Sequence, residues 1–275
     1  MAIGKSIAVC IQNQKILNAN AYYLNEDKVS LNHTIAEHKS VKVISPEEIL
    51  YIEKNMEKNE EQINNHSSKC NIQVVNADSY RYKTELVMNF ANATNPGGGY
   101  LLGANAQEES LCRESTLYAS IASKEAKEMY HANRRNKGVL PTDYMLLSPK
   151  VDVFRNDSLE LLEEPYSLAV ISIAAPNLAG RGRMIRKEII DNYMIRRIRQ
   201  YLKCSAYYGY RTITLGAWGC GEFKHDAGKV AEYFRKVIID EEYRKYFDKI
   251  LFAVYDKSVK QYNYRSFQEA FSRYT

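Results

Sequence analysis

From residue 71 onward, short and largely apolar runs alternate with longer amphipathic stretches, and this alternation restricts the fold more than any other feature of the chain. The runs fall at 72–75, 86–91, 168–175, 213–215 and 250–254. Apolar residues at nearly every position suit strands covered on both faces. Between them, Ile189, Ile190, Tyr193, Met194, Ile198, Tyr201 and Leu202 recur at three- and four-residue steps, with Arg196, Arg199 and Lys203 on the opposite face. Ala227, Val230, Ala231, Phe234, Val237 and Ile238 mark a second helix with Asp226 as its N-cap. Residues 259–274 read as a closing helix. Strands alternating with helices predict an α/β sandwich with helices on both faces of the sheet.

Residues 1–68 are polar and mainly helical in pattern, and are expected to form an extension packed on a core of 69–275, a single domain overall. A hairpin is expected near 22–31. A helix opens at Ser45-Pro46-Glu47-Glu48, where serine caps and proline takes the first helical position. The stretch 53–65 is polar enough for a mobile helix or loop. The 275 residues have ample volume for a core. With 26% charged residues and 22 tyrosines, the chain is not expected to be disordered. No apolar run approaches the ~20 residues needed to span a bilayer, so no membrane association is expected. Met1-Ala2-Ile3-Gly4-Lys5 lacks the pattern of a signal peptide, and the expected location is cytoplasmic. Five scattered cysteines without a C-x-x-C pair give little support to disulfides or zinc. His33 and His38 read as surface residues. No metal or cofactor is expected. The net charge of +5 does not imply a nucleic-acid partner. Arg181, Arg183, Arg186, Arg196 and Arg197 read as a loop and a solvated helix face.

Six of the thirteen glycines crowd into two segments at strand ends. One is Asn95-Pro96-Gly97-Gly98-Gly99-Tyr100; the other is Gly216-Ala217-Trp218-Gly219-Cys220-Gly221-Glu222-Phe223. Glycine-rich turns let backbone N–H groups approach an anion closely, and two such turns on one sheet edge could clasp a diphosphate from both sides. Neither carries the Gly-Lys-Ser/Thr of a Walker loop, and the first misses G-x-G-x-x-G by one residue. Shortly after the triple glycine stands Gln107-Glu108-Glu109. Adjacent carboxylates beside an anion site should raise at least one pKa. An acidic first turn of a helix would instead keep both ionised.

The run Asn89-Phe90-Ala91-Asn92-Ala93-Thr94-Asn95-Pro96-Gly97-Gly98-Gly99, followed by Gln107-Glu108-Glu109, resembles the signature of poly(ADP-ribose) glycohydrolases. The second glycine segment is similar to that family's second phosphate loop. Ser148-Pro149-Lys150-Val151 and Ala174-Ala175-Pro176-Asn177 resemble its shorter, bacterial-type branch. The resemblance covers roughly residues 70–255 and implies a macrodomain-like three-layer sandwich, a mixed sheet between helices, with ADP-ribose across one end. It implies Glu109 as the catalytic acid, then base, and Glu108 and Asn92 as ribose-binding groups. Gly97, Gly98 and Gly99 would lie against the diphosphate, with Gln107 completing this side. Gly219, Cys220 and Gly221 would supply backbone donors from the other side. Phe223 would orient the ribose and Asp78 would contact adenine. Glu222 departs from the small or apolar residue expected before Phe223.

The implied partners are poly(ADP-ribose) or ADP-ribosylated protein, with ADP-ribose as product. Removal of single ADP-ribose units, or of ADP-ribose esters, is the nearest alternative, against which Gln-Glu-Glu stands. A non-catalytic ADP-ribose reader would need neither glutamate. The segment 132–149 could form a lid, with Tyr144 and Met145 over adenine, although core positions suit both better.

Overall fold

The computed structural model describes residues 3–58 and 70–275. The lead-in contains helix α1 (Ile3–Ala19), the hairpin β1 (Ala21–Leu24) and β2 (Asp27–Ser30), the short helix α2 (Ile35–His38), strand β3 (Lys42–Ile44) and helix α3 (Pro46–Lys58). The hairpin forms where the sequence places it. The Ser45 hydroxyl accepts the Glu48 N–H at 3.2 Å, as an N-cap should. Of the polar stretch 53–65, the first six residues belong to α3; the remainder, like the 68/69 boundary, lies outside the described residues.

The core supplies β4 (Asn71–Val75), β5 (Leu86–Ala91), β6 (Met145–Arg155), β7 (Leu161–Ala174), β8 (Thr212–Leu215) and β9 (Lys249–Ala253). Its helices are α4 (Gln107–Glu114), α5 (Leu117–Ile121), α6 (Lys127–Arg135), α7 (Lys187–Tyr207), α8 (Ala227–Arg235) and α9 (Tyr262–Phe271). Seven strands form one mixed sheet in the order β3-β6-β7-β5-β8-β9-β4. The five from β7 to β4 run parallel, whereas β6 is antiparallel to both β3 and β7.

Strand periodicity divides the apolar residues between two layers. Leu86 and Met88 of β5, with Ala169, Ile171 and Ile173 of β7, face the core shared with α3, α7, α8 and α9. Val87, Leu168 and Val170 face the opposite core with Leu111, Cys112, Leu117 and Met129. The expected three-layer α/β architecture is therefore present. Asp226 caps α8, its Oδ1 accepting the Lys229 N–H at 2.9 Å. No described helix is long and apolar enough to cross a membrane.

Of the two readings of 132–149, core and not lid is the one found: the segment ends α6 and begins β6, Met145 is fully buried in the core, and none of its residues lines the cavity described below. Two expectations are corrected. The backbone oxygens of Asp143 and Tyr144 accept from the Arg197 guanidinium at 2.6 and 3.0 Å. Arg197 is accordingly buried rather than on a solvated helix face. His38, expected at the surface, is also wholly enclosed.

Candidate active site

The carboxyl ends of the parallel strands converge on a cavity of about 460 Å³. Its wall takes Asp78 and Ser79 from beyond β4, Phe90 and Asn92 from β5, and Ala175 from beyond β7. Residues 217–219 and 221–223 follow β8, and Ala253, Val254 and Tyr255 end β9. Ligands of open α/β sheets bind at such edges. The first turn of α4 closes one side with Gln107, Glu108 and Glu109.

Both glutamates are buried, and backbone N–H groups hold both. Glu109 is 8% exposed, and its Oε1 accepts the Gly99 N–H at 2.9 Å. Its Oε2 accepts the Ala106 N–H at 3.1 Å, the reach from the third helical residue back to the N-cap that forms half of a capping box. Glu108 is 3% exposed. Its Oε2 accepts the Asn92 N–H at 2.8 Å, its Oε1 accepts from Asn89 Nδ2 at 3.2 Å, and the Gly97 N–H adds a further bond. Burial pushes the Glu108 pKa up to about 8. The Asn92 and Asn89 donors pull it down and the neighbouring Glu109 charge raises it again.

The triple glycine thus takes a different part from the one expected. The Gly97 and Gly99 N–H groups bind the two glutamates, and the Gly98 N–H donates to the Asn95 oxygen at 3.0 Å. None of the three glycines lines the cavity. At Gly98, with φ +56°, a Cβ would collide with Glu109 Oε1; glycine is required there so that backbone can lie against a carboxylate. Gln107 is likewise committed inside the protein. Its Oε1 accepts the Phe90 N–H at 2.9 Å, and its Nε2 donates to the Met88 oxygen at 2.8 Å and to Ser79 Oγ at 3.2 Å, tying α4 to β5. Asn92 Oδ1 accepts the N–H groups of Thr94 and Asn95, both at 2.9 Å, and so shapes the turn.

The second glycine segment behaves otherwise. Among the described residues, the N–H groups of Gly219, Gly221, Glu222 and Phe223 have no acceptor, and all four residues line the cavity. Cys220 is the exception: its N–H donates to the Ala217 oxygen at 3.1 Å, and it does not line the cavity. Gly219, with φ +81°, would drive a Cβ to 2.8 Å from the His225 ring. That ring is fixed in turn through Nε2, 2.7 Å from the Pro176 oxygen. Phe223 accepts the Leu178 N–H at 3.0 Å through its backbone oxygen. Glu222 is exposed at the rim.

At the far wall, Asp78 Oδ1 accepts the Tyr80 N–H at 2.9 Å. Burial raises the pKa of Asp78 and lifts that of the enclosed Glu114 well above the carboxylate range; the two share a hydrogen bond that Glu114 donates.

Sequence reasoning did not single out Asn89, whose amide also donates to Ser172 Oγ at 2.9 Å in the adjacent strand. The available signal was one asparagine inside an otherwise apolar run. Phe90, Val254, Tyr255 and Asn263 also line the cavity without having been singled out.

Comparison with known proteins adds the following. A family model described as the microbial-type PARG catalytic domain matches residues 11–156. No curated protein matches the chain by sequence. The crystal structure of poly(ADP-ribose) glycohydrolase from Thermomonospora curvata is 29% identical, with a TM-score of 0.87 over 98% of this chain and 100% of that one. The same organism's enzyme bound to the inhibitor ADP-HPD is 28% identical, with a TM-score of 0.84 and the same coverage. The Deinococcus radiodurans enzyme in complex with ADP-ribose is 28% identical, with a TM-score of 0.80 over 89% of this chain and 99% of that one.

Proposed function

The chain belongs to the microbial-type PARG catalytic-domain family, and from that premise we propose that it hydrolyses the ribose–ribose O-glycosidic bonds of poly(ADP-ribose), releasing ADP-ribose. The observation that carries this reading is the opposition of two buried glutamates to four acceptor-free backbone N–H groups across one cavity. A volume of about 460 Å³ falls within the range that encloses compact ligands.

The amides of Gly219, Gly221, Glu222 and Phe223 hold the diphosphate, and the ring of Phe223 orients the neighbouring ribose. Asp78, kept in place by the proton that Glu114 donates to it, accepts from the exocyclic amine of adenine. The amide nitrogen of Asn92 and the carboxyl of Glu108 bind the ribose hydroxyls at the scissile linkage. Gly97, Gly98, Gly99 and Gln107 position the two acids without touching substrate.

Neighbouring glutamates cannot flank a sugar at the separations used by ordinary two-carboxylate glycosidases. One residue therefore serves twice. Glu109 gives its proton to the oxygen leaving the anomeric carbon. The C–O bond breaks with its electron pair going to that oxygen, and an oxocarbenium-like ribose develops. The Glu109 carboxylate then takes a proton from water as the water oxygen bonds to the anomeric carbon. This restores the acid and completes hydrolysis.

We also take residues 1–68 to be an extension packed on the catalytic core of 69–275. Asn13 Nδ2 donates to the Arg113 oxygen at 2.7 Å at the end of α4, and Cys10 Sγ lies 3.2 Å from the Tyr100 oxygen beside the triple glycine. The functional test is incubation with poly- and mono-ADP-ribosylated protein followed by product analysis. The reading requires free ADP-ribose from the polymer while the last protein-linked unit stays in place. Release of that unit with the polymer untouched would replace it with a mono-ADP-ribosyl hydrolase.

A further inference from the structure

On the opposite helical face, the lead-in and the sheet bring together a second polar cluster in which a buried nitrogen lacks a partner. Asp152 lies in β6 and is fully enclosed, with no lysine or arginine paired to it among the described residues. Its Oδ1 is 2.7 Å from His33 Nδ1 and accepts from Ser167 Oγ at 2.7 Å, and its Oδ2 accepts the His33 backbone N–H at 2.9 Å. His38, also fully enclosed, turns Nδ1 toward the Lys150 oxygen at 3.4 Å. A carbonyl only accepts, so Nδ1 is a donor, and in the neutral ring Nε2 is then a bare lone pair. Nε2 faces Asp152 Oδ2 at 3.6 Å, beyond hydrogen-bonding distance, and has no hydrogen-bond partner among the described residues. A lone pair opposed to a carboxylate in a buried site is repulsive unless a cation lies between them.

We propose that His33 Nδ1, His38 Nε2 and the Asp152 carboxylate form a binding site for one divalent transition-metal ion of the zinc type. The three donor atoms lie within 4.8 Å of one another. Tetrahedral bonds of about 2.0 Å place ligand atoms about 3.3 Å apart. The two histidines face different oxygens of the Asp152 carboxylate, His38 at 3.6 Å from Oδ2 and His33 at 2.7 Å from Oδ1. These distances bracket that spacing, and the shorter pair opens when a metal replaces the shared proton. Two imidazoles and one carboxylate suit zinc, cobalt(II) or nickel(II) rather than magnesium or calcium, which require oxygen donors. The surroundings orient the ligands as in known metal sites: the Lys150 oxygen fixes the His38 tautomer, and Ser167 holds the carboxylate. The His33 side chain is 22% exposed, which gives an ion a route in and leaves a fourth position for water.

The site is structural. It joins the loop carrying His33 and His38 to β6, and Asp152 is itself tied to the end of the helix that bears the glutamates. Its N–H donates to Thr116 Oγ1 at 3.0 Å, and its oxygen accepts the Thr116 N–H at 3.0 Å.

The test uses the full chain stripped with a chelator. Zinc titration should give one equivalent per chain, and zinc at a hundredfold excess over its Kd should raise the thermal midpoint by about 5 °C. Cobalt(II) should give visible bands of tetrahedral intensity without the near-ultraviolet thiolate transition that cysteine ligation would add. Magnesium should do neither. His33→Ala, a change at a partly exposed position, should abolish the stoichiometric binding while leaving the metal-free midpoint within about 2 °C. The absence of stoichiometric uptake and of any metal-dependent shift in the unaltered protein overturns the proposal. So does uptake that survives His33→Ala, which places the ion elsewhere.

Discussion

The two glycine segments stand at neighbouring strand ends and look alike in sequence, yet their backbones face opposite ways. In 97–99 every N–H is satisfied inside the protein, two of them by the glutamates of α4. In 219–223 four of five N–H groups have no acceptor among the described residues and line the cavity. One segment is built to hold acids, the other to receive an anion. Glycine composition alone does not separate the two uses, because both require close backbone approach. What separates them is the nearest acceptor: in the first segment it is a protein carboxylate, and in the second it has to come from a ligand.

If the first segment serves chemistry and the second serves binding, substitutions should divide along that line. The largest effect belongs to Glu109→Gln. Removing the acid while keeping the amide's shape should lower kcat by about 10³-fold or more, with ADP-ribose affinity, read by calorimetry, within about threefold of the unaltered protein. Substantial turnover in this variant would remove Glu109 from the reaction.

Next in size is a matched pair of alanine substitutions. Gly98→Ala places a methyl against Glu109 Oε1 at a positive φ, so kcat should fall by about 10²-fold and stability by about 1–3 kcal/mol. At Gly221 no atom lies within 4 Å of the added Cβ, and the backbone imposes no strain. Gly221→Ala should therefore fold normally and weaken ADP-ribose binding by about tenfold through its methyl at the cavity wall, with kcat nearly unchanged. Equal effects on kcat and Kd in both variants would erase the distinction between the segments.

The pH profile sharpens the same comparison. With its pKa pushed up to about 8, Glu108 is neutral below that value and ionised above it. An ionised Glu108 repels the diphosphate of the incoming substrate, so kcat/KM should fall by up to about tenfold per pH unit above 8. Glu108→Gln cannot ionise and should flatten that limb. Linkage gives a parallel sign. A carboxyl raised from its ordinary value of 4.5 adds stability that is fully present below 4.5 and is lost as pH climbs through 8. The decline in unfolding free energy between pH 5 and 8 should thus be smaller in Glu108→Gln, by about 1–3 kcal/mol, measured by urea titration.

Much of the fold was legible because most of its strands are apolar at nearly every position: 86–91 matches β5 residue for residue, and 72–75, 213–215 and 250–254 each fall within a residue of β4, β8 and β9. Strand β6 was not, because its sequence does not look like a buried strand. It carries Pro149 at a register irregularity between Ser148 and Val151, and it buries Ser148, Asp152 and Arg155. Each polar group has partners well separated in sequence: Ser148 bonds Ser120, Asp152 bonds His33 and Ser167, and Arg155 bonds Gln12 and Asn13 besides the nearby Leu159 oxygen. The same reason hid the enclosure of His38. At the site, the adjacent acids and glycines could be read as a motif. The direction of each N–H could not, since it depends on φ at single residues. Nor could the wall formed by Val254, Tyr255 and Asn263, which reaches the cavity only through strand order.

The smallest expected effect tests the second segment from within. Cys220 lies between two residues whose amides face the cavity, but its own N–H closes a turn onto the Ala217 oxygen. Its thiol, 3.8 Å from the Trp218 oxygen, is raised by burial and stays protonated at neutral pH. Neither group is available to a ligand, and Cys220→Ala keeps the backbone. Calorimetry should therefore give an ADP-ribose Kd within about twofold of the unaltered protein, and alkylating reagents should reach position 220 slowly. A loss of affinity nearer tenfold would mean that the turn opens when the ligand arrives and that the Cys220 amide joins the cradle. The second segment would then share with the first a backbone whose hydrogen bonds depend on which acceptor is present.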